Sequence, residues 1–279
     1  MYFCVIDDIQ HMKQTAFLLF LLTVFALFSS HELFLKTDAY FLNSGQSSEL
    51  YLFNGTFDKS ENEITRDRIS DARIIGPKYE KHVLDSDYYD KDNITYLKFA
   101  AGGEGTYTAG VSTLPRMIEM TAESFNDYLE HEGLEDVIKK RKEEGSYSSG
   151  AKEKYSKHVK MLFQVGDKKT DHFDTVFGYP IEFVPLNNPY ELKTGESISF
   201  KLLANGKPLA NQTVHYSTSV PGKDAHENES STRTDENGIL KMVPTQAGKW
   251  YVATIFMVKS KEDGVDYESN WATLTFAVK

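Results

Sequence analysis

From His31 to Leu114 apolar residues recur mostly at every second position, the spacing of a strand with one buried face. Glu49–Phe53, Asp71–Ile75, Ile94–Ala100 and Thr106–Val111 are predicted strands, separated by turn signals such as Gly76-Pro77 and the glycine-rich Gly102–Gly105. Between Thr121 and Glu144 the period changes. Phe125, Tyr128, Leu129, Leu134, Val137 and Ile138 fall at near-helical spacing, with Gly133 as a break. After the flexible Gly145–Gly150, Ala151–Val165 reads as a second helix passing into a strand. Alternation returns from Ile181. Ile198, Phe200 and Leu202 share a face, Asn205-Gly206 is a hairpin signal, and Thr213–Tyr216, Ile239–Val243, Lys249–Val258 and Asn270–Val278 follow as strands. Trp250 and Trp271 are expected between sheets.

The predicted fold is therefore mainly β: two β-sandwich, Ig-like halves with a helical insertion near residues 121–160. Prolines at 180, 185 and 189 mark the boundary, which gives an N-terminal β-rich domain over 31–180 and a C-terminal sandwich over 181–279. Residues 1–30 form neither. Ala16–Phe28 is an apolar run preceded by Lys13, too short to span a bilayer but suited to a signal peptide. Met12-Lys13 reads as the natural start of that signal, with Met1–His11 as an upstream extension. Cleavage after Ser30 would make His31 the first residue; cleavage after Ala26 would leave four residues before it. The expectation is an exported protein, periplasmic or at the cell surface, with no membrane insertion after cleavage.

Charge and composition narrow the chemistry. Asp plus Glu number 41 against 31 Lys plus Arg, so the net charge of -10 disfavours a nucleic-acid partner, which needs clustered positive charge. The single cysteine, Cys4, lies upstream of the signal, so an exported chain has no thiol nucleophile and no thiolate metal site. His31-Glu32 and His131-Glu132 lack the second histidine of the zinc-protease pattern, and no nucleophile elbow exists. Asp85, Asp87, Asp90 and Asp92 lack the glycine and terminal glutamate of a calcium loop. No acid–base pair stands out, and the chain reads as not an enzyme.

Histidines remain. A terminal His31 could chelate a transition metal through its α-amine and ring together, because imidazole suits nickel, cobalt, copper and zinc. Further ligands would come from His172 or His131, with His82 and His158 as other candidates.

His31-Glu32-Leu33-Phe34-Leu35, directly after the signal, resembles the opening of the DUF4198 family, some of whose NikM-like members are associated with nickel uptake. The likeness recurs at Asp127–Leu134, Glu153–Lys157, Gly178–Pro185, Asn188–Tyr190, Gly206–Leu209 and Thr234–Gly238, and most specifically at Glu268–Phe276. Phe34 stands where a tryptophan is usual, and Ile255-Phe256-Met257 where many members place a histidine. The resemblance implies two β-sandwich-like halves and a metal-binding accessory of uptake, with a membrane transporter component as partner. The alternative expectation is a periplasmic or cell-surface structural module that binds protein or glycan through its Ig-like half.

Overall fold

The computed structural model describes residues 32–279. The expected signal segment and His31 lie outside the described residues. The first strands are β1 (Glu32–Lys36), β2 (Phe41–Leu42), β3 (Ser47–Gly55), β4 (Ser60–Asn62), β5 (Ile69–Gly76), β6 (Tyr79–His82) and β7 (Tyr88–Lys91). Next come β8 (Ile94–Ala100), β9 (Gly105–Thr113), β10 (Arg116–Met120), helices α1 (Ala122–His131) and α2 (Glu135–Glu143), then β11 (Ala151–Val165). The C-terminal part holds β12 (Ile181–Pro185), β13 (Ile198–Ala204), β14 (Lys207–Pro208), β15 (Thr213–Thr218) and β16 (Ser230–Arg233). It ends with β17 (Ile239–Met242), β18 (Gly248–Lys259) and β19 (Tyr267–Val278).

One long sheet, β16-β15-β18-β19-β11-β9-β5-β6, runs through the whole body, with β10 and β2 added along β11. A small sheet, β1-β3-β8-β7 with β4, packs on one face of it, and a second, β12-β13-β14 with β17, packs on the other. The alternation of β11 and β19 shows why. Val159, Met161 and Phe163 enter the core shared with Leu35, Leu52 and Phe99, whereas Leu162, Leu274 and Phe276 enter the core shared with Phe183, Phe200 and Leu240. Each sandwich thus borrows one layer from the same sheet. The two stretches expected as separate halves are joined there by the parallel β11–β19 pair, Glu153 opposite Tyr267 through Met161 opposite Thr275. Trp250 is buried between sheets as expected, whereas Trp271 is buried beneath α1, stacked on Tyr128, because the helix rather than a second sheet covers that part of β19.

The helical insertion is shorter than expected. Only α1 and α2 are helical; Ala151–Val165 is a single 15-residue strand rather than a helix followed by a strand. Its pairing with β10, β19 and β9 satisfies its main chain on both sides. Both its faces are buried beyond Ser156, so its sequence runs without clean alternation and hides the two-residue period. Thr121 caps α1 by accepting the Ser124 N–H, and Gly133, at φ 64°, ends it in the left-handed region. Asn205 and Gly206, at φ 49° and 73°, make the expected β13–β14 hairpin turn.

Lys160 and Glu182 fix the crossing between the two parts. Their side chains, each 1% exposed, meet at 3.0 Å. Glu182 also accepts the main-chain N–H groups of Phe177, Gly178 and Tyr179, and Lys160 donates to the Thr175 carbonyl at 2.7 Å. This is the physical content of the Gly178–Pro185 motif: a buried carboxylate cradled by the turn that precedes it.

Candidate functional site

The strongest gathering of ionisable groups lies where β1, the α1–α2 turn, β15 and the turn before β16 converge. Alternation places it. On β1, Leu33 and Leu35 enter the core, so Glu32, Phe34 and Lys36 face the other way. Phe34 packs on Phe57 and Tyr251, with ring centroids at 5.1 and 5.0 Å, and this aromatic group carries the cluster.

Glu229 is its hub. One carboxylate oxygen meets His215 Nδ1 at 2.9 Å, the other meets His226 Nδ1 at 3.3 Å, and the Tyr251 hydroxyl donates at 2.6 Å. Burial alone would raise this carboxyl, but the bonds from His215, His226 and Tyr251 hold it well below the usual range. Burial pushes His226 down, yet Glu229 and the nearby Glu32 outweigh it and lift the ring to about 9. His215 is raised by the same bond from Glu229 against its burial. Glu229 accepts from Nδ1 of both rings, so only Nε2 of each is left for a ligand, and a cation there would have to displace the Nε2 proton of the charged ring. His215 Nε2 faces the Glu132 carbonyl at 3.5 Å.

Two further carboxylates crowd the cluster. Glu132, at the end of α1, is buried and meets His131 Nδ1 at 3.2 Å. Glu32 is 7% exposed, and its Oε2 has no hydrogen-bond partner among the described residues. Burial first, and then repulsion from Glu132, raise Glu32 to about 8. Beyond it, Lys157 is lowered to about 7 by burial and Glu153 raised to about 6 by burial, the latter accepting hydrogen bonds from Ser269 and Tyr128.

The raised Glu32 has a consequence for stability. The folded state binds a proton that the unfolded state releases near 4.5, so stability falls as pH rises from there through about 8. Glu32→Gln should match the parent protein near pH 4.5 and exceed it above pH 8, by about 2 kcal/mol or more. Thermal unfolding across this range checks it; a difference independent of pH would contradict it.

The expected metal ligands are distributed unevenly. His131 stands at the rim of the cluster, its side chain 70% exposed. His172 does not join it: its ring meets Thr170 at 3.2 Å, and its carbonyl accepts from Thr108 beside β9. His158 is buried between Ser112 and Asn270, and His82 pairs with Glu80 at the surface. His31 lies outside the described residues, but Glu32, its covalent neighbour, enters the cluster. Among the described residues no group of three or more His, Cys, Asp or Glu side chains is arranged so that it could hold a metal ion. Sequence reasoning missed His215, His226 and Glu229. His226-x-x-Glu229 was visible as a short-range pair, but nothing local joins it to His215 or to the start of β1.

The described chain is thus a double β-sandwich with a buried histidine–carboxylate cluster at one end of its shared sheet. It belongs to the DUF4198 family, a domain of unknown function, which matches residues 28–257. No curated protein matches it. Among solved structures it is similar to the D0-D1 domain of intimin, at 11% identity and a TM-score of 0.23, covering 88% of this chain and 97% of that one. A Salmonella alpha-2-macroglobulin mutant matches at 11% identity and TM-score 0.25, covering 88% of this chain and 15% of that one. A DUF4785 family protein of Legionella pneumophila matches at 10% and 0.23, over 78% and 50%. No helix among the described residues is long and apolar enough to cross a membrane.

Proposed function

We propose that this chain is an exported, non-enzymatic binding protein that holds a divalent transition metal at the His215–His226–Glu229 cluster. The observation that carries the reading is that one carboxylate, Glu229, accepts from Nδ1 of two histidines, one on each oxygen. A carboxylate behind a histidine fixes the ring and raises its basicity, the arrangement that metal-binding histidines use. The buried, unpartnered Glu32 Oε2 supports it further: a nearby cation would satisfy that oxygen and remove the repulsion between Glu32 and Glu132. Imidazole with carboxylate suits nickel, cobalt, copper or zinc rather than magnesium or calcium. A membrane component of metal uptake is the partner that such a carrier would serve.

Calorimetric titration of the mature protein with nickel, copper and zinc tests the reading. Saturable binding of one equivalent is expected, lost in the His215→Ala/His226→Ala double variant. Binding unchanged in the double variant would place the metal elsewhere and overturn the assignment.

A further inference from the structure

A second feature lies at an edge of the long sheet. On one side β10 pairs with β11, Arg116 opposite Tyr155 through Met120 opposite Ala151. Among the described residues no strand pairs with its other side. Lys152, opposite Glu119, shows which main-chain groups that side carries. The Lys152 N–H donates to the Asp266 carboxylate at 2.8 Å, and the Lys152 carbonyl accepts the Asp266 N–H at 2.9 Å. Asp266 leads into β19, which flanks β11 on the side away from β10. Opposed residues of an antiparallel pair alternate between bonded and non-bonded, so the N–H and C=O groups of Met117 and Glu119 point outward. Nothing among the described residues bonds to them. Leu114, Met117 and Ile118 are 47%, 52% and 42% exposed along the same edge. Bare, apolar edges of this kind are templates for another strand.

The lane beside β10 ends at a buried cation. β9 and β10 follow each other along β11, and β5 pairs with β9 only from Ile69 onward, because the chain before it turns away through Arg66–Arg68. The last main-chain bond at that point runs from the Leu114 N–H to the Arg68 carbonyl at 2.7 Å. Arg68 itself is 7% exposed. Its guanidinium lies over the Tyr155 ring, 5.6 Å from the centroid, and so stands at the first residue pair of β10. Among the described residues its side chain has no ion pair and no hydrogen bond, and its Nε is buried. Lys157 stands near enough to repel it, and the exposed Asp67 is held by Thr65 instead. A buried guanidinium cannot shed its charge, so this one lacks the anion that its burial calls for.

Strand direction joins the two observations. A strand that adds antiparallel to β10 runs the same way as β5 and fills the lane before it, so its C-terminal end arrives at Arg68. We propose that β10 takes up the C-terminal segment of a partner protein as an added β-strand, with the terminal carboxylate held by Arg68. Met117 and Glu119 supply the main-chain hydrogen bonds. Met117 and Ile118, successive residues on opposite faces of β10, favour apolar side chains on the incoming strand. The carboxylate supplies the anion that Arg68 lacks and accepts its N–H groups in a charge-assisted pair. An internal segment would bring no carboxylate to that end of the lane. The site uses none of His215, His226 and Glu229 and does not rest on the metal-binding reading.

Fluorescence polarisation of the full exported protein with labelled pentapeptides ending in valine, isoleucine, leucine or phenylalanine tests it, each peptide made as the free acid and as the C-terminal amide. At least one free acid should bind saturably at up to millimolar concentration, and its amide tenfold or more weakly. Arg68→Met should abolish the difference between acid and amide while leaving thermal stability equal or higher, because it removes a buried charge that has no partner. Met117→Pro should abolish binding of the acid. It deletes an N–H that the fold does not use, at an edge where proline is tolerated, so the variant stays folded. No binding by any free acid, equal affinity of acid and amide for the parent protein, or unchanged binding in Met117→Pro would overturn the proposal.

Discussion

Glu182→Ala is expected to destabilise the protein more than any other single substitution considered, by about 3–5 kcal/mol. The change leaves the Lys160 ammonium in a site where its side chain is 1% exposed, with one remaining bond to the Thr175 carbonyl. It also strands the N–H groups of Phe177, Gly178 and Tyr179, all of which point at the missing carboxylate. For a chain of this length such a loss corresponds to a fall in melting temperature of roughly 10 °C. Glu182→Gln should be milder, because an amide oxygen still accepts from the turn while the charge on Lys160 goes unpaired. Replacing both partners with Lys160→Met/Glu182→Leu should restore part of the loss, since no buried charge then remains. Chemical denaturation of the three variants distinguishes these outcomes, and equal stability of Glu182→Ala and the parent would show that the pair is dispensable.

The second large effect concerns Glu229. Glu229→Gln keeps the side-chain shape but removes the charge that holds His215 and His226 in one orientation. Metal affinity should fall about 10–100-fold, the usual cost of losing a partner behind a metal-bound histidine. The same variant has a pH signature. The His226 ring, held at about 9, contributes stability that is complete below its ordinary value of 6.5 and lost as pH rises through 9. Without the carboxylate that ring reverts towards its ordinary value, so the His226 share of the stability lost between pH 6.5 and 9 should be absent in the variant, while the Glu32 share, which runs up to about 8, remains. Nickel titration and thermal unfolding on the same samples measure both. An unchanged affinity would remove Glu229 from any role at a metal.

The β-class and most strands were legible because alternation is a direct readout of one buried face. Ile94–Ala100 is recovered to the residue. Ala151–Val165 was not, because a strand buried on both faces has no polar phase to display its period. The shared sheet was invisible for a different reason: the parallel β11–β19 pairing joins residues more than a hundred positions apart and leaves no local trace. The candidate site shows the same division. His131 and the start of β1 stood out because they sit beside charged neighbours in distinctive local sequence. His215 is one alternating position in an ordinary strand, and His226 and Glu229 lie in a polar turn. Only the fold brings them to one carboxylate. His172 was as conspicuous in sequence as His131, and the structure spends it on fixing a turn against β9.

Metal binding at the cluster is tested most directly by growing crystals of the mature protein with nickel and collecting anomalous diffraction at the nickel edge. A single anomalous peak within about 2.2 Å of the Nε2 atoms of His215 and His226, with Glu229 still bonded to both Nδ1 atoms, is the predicted result. Nickel bound only at surface histidines such as His82, or no anomalous peak near Glu32 and Glu229, would contradict it.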